Sequence, residues 1–72
     1  MSYLPFDLGR IAFAEGRIAP SNSDCLEFAK AKNPLMARDD FFLGIGYAMA
    51  AEVYKETGKQ ISARAALDMV QQ

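Results

Sequence analysis

The chain has 72 residues, of which 51% are hydrophobic and 24% are charged, and its net charge is −1. A disordered tail would be poor in apolar residues, so the composition predicts one folded domain over 1–72, near the size at which a single core is only marginally sufficient. The charge near zero, with its basic residues scattered, leaves no electrostatic footprint for nucleic acid, and a single cysteine excludes an internal disulfide.

The first predicted helix covers about 5–15. Pro5 suits the first helical turn, where its missing N–H has no partner in any case, and Asp7 suits the positive end of the helix dipole. Gly16 stands where a left-handed residue would end the helix. The segment 17–23 is predicted as a loop because it is rich in turn-forming residues.

A second, short helix is predicted over about 24–32. Ser21 and Asp24 fit the capping-box pattern, although Ser23 is an alternative cap. Asn33-Pro34 ends this helix, because the residue before a proline disfavours helical backbone. A helix this short must be held in place by packing.

The central helix is predicted over about 38–57, and the rest of the chain is organised around it. We place Asp39 and Asp40 in its first turn, where the helix dipole stabilises carboxylates, and Gly58 at its end. Apolar residues lie nearly all round its first three turns, so we expect other helices on more than one side. The longest near-apolar run, 41–51, has 11 residues, whereas a bilayer span needs roughly 20.

The central helix also contains two pairs of small residues at a spacing of four. Gly44 pairs with Ala48, and Gly46 pairs with Ala50. Each glycine costs roughly 1 kcal/mol relative to alanine in a helix interior, so the close approach of another helix is the expected compensation. That approach is either within the chain or across a dimer interface.

A fourth helix is predicted over about 60–70, beginning at Gln60 or capped by Ser62. The predicted fold is therefore all-α, a small bundle of about four helices around one long helix. The C-terminal helix pair also has the outline of a helix-turn-helix, but only Lys59 and Arg64 could reach phosphates. Since phosphate neutralisation supplies most non-specific DNA affinity, DNA binding ranks low among the functional hypotheses, ahead only of an enzyme.

The sequence offers no catalytic, cofactor or metal site. Asp39 and Asp40 are adjacent and so point about 100° apart on a helix. The Gly44-Ile45-Gly46 sequence has no strand before it, which a phosphate-binding loop requires. Cys25 is predicted on the apolar side of its helix as a buried, inert thiol. Because the chain also lacks histidine, the commonest general base, we expect that it is not an enzyme.

We expect instead a small non-enzymatic helical protein that binds another protein or forms a homo-oligomer, as regulators and inhibitors of bacteria, phages and mobile elements do. A chain this short has more apolar side chain than it readily hides, and aromatic residues dominate interface energies. The candidate anchors are Phe41, Phe42, Tyr47 and Tyr54. The first ten residues lack the pattern of a secretory signal, so a cytoplasmic setting is expected, with no membrane and no small-molecule partner.

Three stretches resemble the ribosome modulation factor family. Residues 9–17 (GRIAFAEGR) are similar to the G-x-x-A-x-x-x-G-R opening of that family, and Asn33-Pro34 is similar to its [C/N]-P dipeptide. Phe41-Phe42-Leu43-Gly44, followed by Ala48-Met49-Ala50, is similar to the family's aromatic-L-x-G-x-x-x-A-M-A helix. The match covers about half of the chain.

The resemblance implies a pair of helices around Gly16 and Gly44 and association with the small ribosomal subunit, where family members promote inactive ribosome dimers. The contacts that it implies are Arg10, Arg17 and Arg38. This chain differs in being slightly acidic, in having phenylalanine where tryptophan is usual, in a longer connector over 21–32 and in an added C-terminal helix.

Overall fold

One long helix, α3 (Pro34–Thr57), sets the long dimension of the molecule in the computed structural model, which describes residues 3–70. Its 24 residues rise about 36 Å, close to the 38 Å extent of the molecule. Three shorter helices pack on it, namely α1 (Pro5–Ala14), α2 (Asn22–Ala29) and α4 (Ala63–Val70). Within the described residues the fold is all-α without strands, as the sequence predicts.

The closest contact in the fold is between the backbones of α1 and α3. A Cβ added to Gly9 would collide with the carbonyl oxygen of Phe41, and one added to Gly44 would collide with the carbonyl oxygen of Phe6. Both glycines are buried. Any side chain at either position would hold the two helices apart, so the crossing requires glycine on both sides.

The contact between α3 and α4 is of the same kind. A Cβ on Gly46 would lie 2.5 Å from the carbonyl oxygen of Ala63 and 3.0 Å from Cγ of Leu67. Because Ala63 meets Gly46 about three turns before α3 ends, the segment 58–62 must run back beside α3 before α4 begins. Among the helices of residues 3–70, α4 packs on α3 alone, whereas α1 and α2 also contact each other.

The core is centred on Phe41 and Ile45, which are fully buried. The rings of Phe28 and Phe42 meet the ring of Phe41 edge-on, with centroids 5.4 and 5.5 Å away. Edge-to-face pairs of this kind contribute about 0.5–1.5 kcal/mol each beyond the area that they bury. Ala12 of α1 is also fully buried, and its small side chain suits the close approach of that helix.

Three of the predicted helix ends are confirmed. Pro5 occupies the first turn of α1, and Gly16 has a φ of 80° in a Schellman motif in which the Arg17 N–H donates to the Ala12 carbonyl at 2.9 Å. Gly58 ends α3 with a φ of 75°.

Ser21, and not Ser23, caps α2. The Ser21 Oγ accepts a hydrogen bond from the Asp24 N–H at 3.2 Å, and the Asp24 carboxylate accepts one from the Ser21 N–H at 3.0 Å. The helix therefore begins at Asn22 rather than at position 24. The helix also ends before position 32. The N–H groups of Lys30 and Ala31 donate to the carbonyls three residues earlier, and not four as in an α-helix, so the chain forms a tight turn after Ala29.

The predicted start of the central helix at position 38 is wrong. Asn33 caps α3 by accepting a hydrogen bond from the Met36 N–H at 3.1 Å, and Pro34 opens the first turn. Proline breaks the preceding helix but favours the start of a new one, since its φ is already helical. Asp39 and Asp40 consequently lie in the second turn, and their predicted role at the helix start is wrong as well.

The fourth helix begins at Ala63, and the alternative start at Gln60 is wrong. The Ser62 Oγ accepts a hydrogen bond from the Ala65 N–H at 3.0 Å, which makes Ser62 the cap. No helix between Tyr3 and Val70 combines the length and the apolarity that crossing a bilayer would need.

Replacing Gly44 with alanine tests the helix crossing. The added methyl group meets the backbone of α1, so we expect a loss of about 1–3 kcal/mol of unfolding free energy in urea titrations. On helix propensity alone, alanine would instead be favoured by about 1 kcal/mol. The pair Glu52→Gly and Glu52→Ala, at an exposed position of α3, measures that propensity without a clash. A Gly44→Ala protein as stable as the parent would contradict the crossing.

Candidate binding surface on the central helix

The structure divides the four predicted anchors between the core and the surface. Phe41 is 0% exposed, so its predicted role as an anchor is wrong, because its ring is enclosed by its own chain. Phe42 is half-buried, with the guanidinium of Arg38 over its ring at 5.9 Å from the centroid. Tyr47 and Tyr54 are 56% and 53% exposed, and only these two present most of a ring to solvent.

The four small residues predicted to permit close helix packing contact this chain's own helices to different degrees. Gly44 is buried against α1 and Gly46 against α4, which confirms the internal alternative for both glycines. Ala48 and Ala50 are half-buried. Ala50 lies beside Tyr47 and Tyr54 in a surface concavity and so remains accessible.

A groove lies between α1 and the C-terminal half of α3. Its volume is about 930 Å³. Phe6 and Tyr47 meet edge-on across it, with ring centroids 5.4 Å apart, and Ala48 and Ala51 also line it. Charged side chains of α1 and α3 contribute to the lining as well, namely Asp7, Arg10 and Glu52. The groove is thus lined mainly by apolar side chains, with acidic and basic side chains among them.

A second, smaller concavity of about 370 Å³ lies on the other side of Tyr47. It is closed by the segment 58–62, whose Gln60 and Ile61 face the tyrosines of α3. Tyr47 and Ala51 line both concavities. Tyr47 therefore has a depression on each side, whereas Tyr54 borders only the smaller one.

This surface continues along the whole of α3 at alternating spacings of four and three residues. We call it the α3 stripe, and its members are Met36, Asp40, Leu43, Tyr47, Ala50, Tyr54 and Thr57. None of the seven is buried. Of the five large apolar residues exposed on α3, four belong to the stripe, and Leu35 is the exception. A 4-3 spacing of apolar residues places them in one seam on a helix.

Sequence reasoning missed Met36 and Leu43 as surface residues. The 4-3 spacing is readable in the sequence, but with apolar residues nearly all round the helix, several rows have equally good spacing. The glycines mark the rows that other helices cover. The row of Tyr47 and Tyr54 lies between these two covered rows, and recognising it requires knowing which helix each glycine meets.

Arg17 joins the end of α1 to the start of α2. Its guanidinium donates to the Asp24 carboxylate at 3.1 Å and to the Glu15 carboxylate at 2.7 Å. Burial alone would raise the pKa of Asp24, which is 6% exposed, but hydrogen bonds from the Ser21 N–H and from Arg17 outweigh it and lower that pKa. The hydrogen bonds to Glu15 and Asp24 raise the pKa of Arg17.

The basic residues implied by the family resemblance have different surroundings. Arg10 is exposed beside the groove, Arg38 lies over Phe42, and Arg17 is engaged by two carboxylates. Lys59 and Arg64, proposed for DNA contact, are exposed. However, the chain between α3 and α4 runs back along α3, which departs from the tight turn of a helix-turn-helix.

Two further predictions concern residues that could carry chemistry. Cys25 is exposed, so its prediction as a buried thiol is wrong, because α2 turns the row of Asp24 and Phe28 inward instead. Asp39 is exposed and Asp40 is half-buried. In the described part of the chain, no group of three His, Cys, Asp or Glu side chains could hold a metal ion.

Comparison with protein-family models, curated proteins and solved structures finds no match to this chain.

The lowered pKa of Asp24 predicts how acid acts on the α1–α2 junction. A carboxylate with a lowered pKa stabilises the fold above its ordinary pKa, here 3.8, and that contribution is lost as the pH falls through the lower, folded value. We expect Asp24→Asn to lose about 1 kcal/mol at neutral pH, and the difference from the parent to shrink below about pH 4.

Urea unfolding at a series of pH values measures this difference. Asp39→Asn, which alters an exposed carboxylate, should differ little from the parent throughout. A gap between Asp24→Asn and the parent that stays constant down to the acid limit would contradict the prediction.

Proposed function

We propose that this chain is a non-enzymatic helical protein that acts by binding another polypeptide through the α3 stripe, as a small regulator or inhibitor does. The observation that carries the proposal is the exposure of Tyr47 and Tyr54, each more than half in solvent; Tyr47 lines both concavities, and Tyr54 lines the smaller one. The core of the fold is complete without them, since Phe41 and Ile45 already fill it.

The two tyrosines have the properties of interface anchors. A tyrosine ring supplies a large apolar area, its hydroxyl finds a hydrogen-bond partner, and few rotatable bonds are immobilised on binding. Ala50 and Ala51, which lie between them on the helix, keep the surface low and let a partner backbone come close. Anchors of this type, seated in pockets, dominate the binding energy of many interfaces.

The shape of the surface favours a helix as the bound element. An apolar seam on one helix is complementary to the seam of another, and an amphipathic helix in a groove is a recurring mode of recognition. The α3 stripe lies between the row that α1 covers at Gly44 and the row that α4 covers at Gly46. A partner helix on the stripe would pack between these two.

Site-specific photocrosslinking in cells of the source organism tests the proposal. We expect a photoreactive phenylalanine analogue at position 54 to form an adduct of discrete mass with another polypeptide chain. The matched control is Leu26, which is 65% exposed on α2 and away from the stripe, and it should give no such adduct. Equal adducts from both positions, or none from position 54, would contradict the proposal.

Association with the ribosome is the second candidate. The observation in its favour is that Gly9, Ala12 and Gly44, which carry part of the family resemblance, are the buried residues of the helix crossing, so the shape that the resemblance implies depends on them. Arg10 and Arg38 are exposed and remain the proposed contacts.

Sedimentation through sucrose at low and moderate salt tests ribosome association. The parent chain should travel with the small subunit or with ribosome dimers, and a variant carrying Arg10→Ala and Arg38→Ala should be released at lower salt, since it neutralises fewer phosphates. A parent chain that stays at the top of the gradient at both salt concentrations would end this candidate.

A further inference from the structure

We propose that α4 controls binding at the α3 stripe, because its packing on α3 holds the segment 58–62 in place as one wall of the smaller concavity beside Tyr47 and Tyr54. The inference rests on the proposed function, since it takes the stripe as the binding surface, and it adds the part of the chain that regulates this surface. A polypeptide bound at Tyr54 then requires α4 in its packed position.

The smaller concavity has two walls of different origin. Tyr47, Ala50 and Tyr54 form the wall that belongs to α3, whereas Gln60 and Ile61 form the wall that belongs to the segment 58–62. A side chain seated in the concavity would contact both walls, and an anchor contributes most binding energy when a well-packed pocket encloses it. Without the second wall, the same side chain would rest on an open helix face.

The segment 58–62 has few contacts of its own that could fix its position. Four of its five residues are exposed, and the fifth, Ile61, is half-buried. Beyond the helix end at Gly58, the one hydrogen bond that ties the segment to α3 in the described part of the chain runs from the Lys59 N–H to the Thr57 Oγ, at 3.2 Å. The place of the segment is therefore set by the helix that follows it.

That helix is held on α3 by the packing of three side chains. Ala63, Ala66 and Leu67 are its buried residues, and Ala63 and Leu67 meet α3 at Gly46. Between Tyr3 and Val70, no hydrogen bond or ion pair joins α4 to another helix. Since an isolated helix of eight residues is marginal in water, α4 depends on this apolar contact.

The contact at Gly46 is transmitted to the concavity through the chain itself. Ile61 precedes Ala63 by two residues, and consecutive Cα atoms lie about 3.8 Å apart, so the place of Ala63 on α3 limits where Ile61 can lie. If α4 leaves α3, that limit is lost and the concavity opens on one side. A polypeptide that contacts both walls therefore binds the packed form, and by linkage it stabilises α4 on α3 to the same extent.

Two substitutions in α4 test this coupling through the photocrosslink from position 54. Leu67→Ala removes the largest buried side chain of α4, and we expect the yield of the adduct to fall about fivefold or more. The matched control is Met69→Ala, which shortens an apolar side chain of the same helix that is 56% exposed, and the yield should stay that of the parent.

Two substitutions in the segment 58–62 test the wall directly and leave the packing of α4 untouched. Ile61→Ala shortens the wall and should also lower the yield of the adduct from position 54. Lys59→Ala alters an exposed residue of the same segment that lines neither concavity, and it should not change the yield. If Leu67→Ala unfolds the chain, this pair decides.

Proton NMR of the purified chain reports the wall without a partner. Leu67→Ala should shift the methyl resonances of Ile61 and the ring resonances of Tyr54, and Met69→Ala should shift neither. The resonances of Phe41, in the core, show whether the rest of the fold is intact. Unchanged Ile61 and Tyr54 resonances in a folded Leu67→Ala chain would overturn the inference.

The crosslinks separate the failure of this inference from the failure of the proposed function. If the parent and Leu67→Ala give equal adducts from position 54, α4 does not control the surface, and the proposed function stands. A larger yield from Leu67→Ala would mean that α4 competes with the bound polypeptide, which also overturns the inference. If the parent gives no adduct, both fail.

Discussion

The backbone contact between Gly9 and Gly44 is the constraint on which the rest of the structure depends. It draws α1 against α3 more closely than any pair of side chains would permit. The approach seals Phe41 and Ile45 from solvent, and it gives a chain of 72 residues a core without a large number of big side chains. It also places α1 beside the C-terminal half of α3, where it becomes a wall of the groove.

The glycines of α3 mark the parts of its surface on which α1 and α4 pack. The row of Gly44 receives α1, the row of Gly46 receives α4, and the Phe41 ring meets Phe28 of α2. The row of Tyr47 and Tyr54 stays largely exposed, although the Tyr47 ring meets Phe6 of α1 edge-on. The candidate site is thus a part of the α3 surface that the other three helices leave exposed.

Much of the fold could be predicted from the local sequence. Ser21 and Ser62 cap the starts of helices, and Gly16 and Gly58 end helices, as their residue types predict. The errors arose where one residue has two roles. Proline is both a stop signal and a favourable first residue of a helix, and Pro34 opens α3, so the start predicted at position 38 lies four residues late.

Which residues of α2 and α3 are buried was harder to predict, because apolar residues also occur on helix faces that stay exposed. Cys25 and Leu26 are apolar and exposed, whereas the charged Asp24 is buried with Arg17 as its partner. On α3, the same ambiguity made Phe41 an anchor candidate when it belongs to the core. Which row of a short apolar helix turns inward is decided by its neighbours in the fold.

The attachment of α4 to α3 alone has a consequence for the motions of the molecule. Since α1 and α2 contact each other as well as α3, they share a cooperative unit. Within residues 3–70, α4 contacts the helix α3 alone, on the side where Ala63, Ala66 and Leu67 are buried. Detachment of α4 would leave the glycine crossing intact. Amide protons of α4 should therefore exchange through a local opening that needs less free energy than global unfolding. In that case α4 is a separate local unfolding unit of the fold.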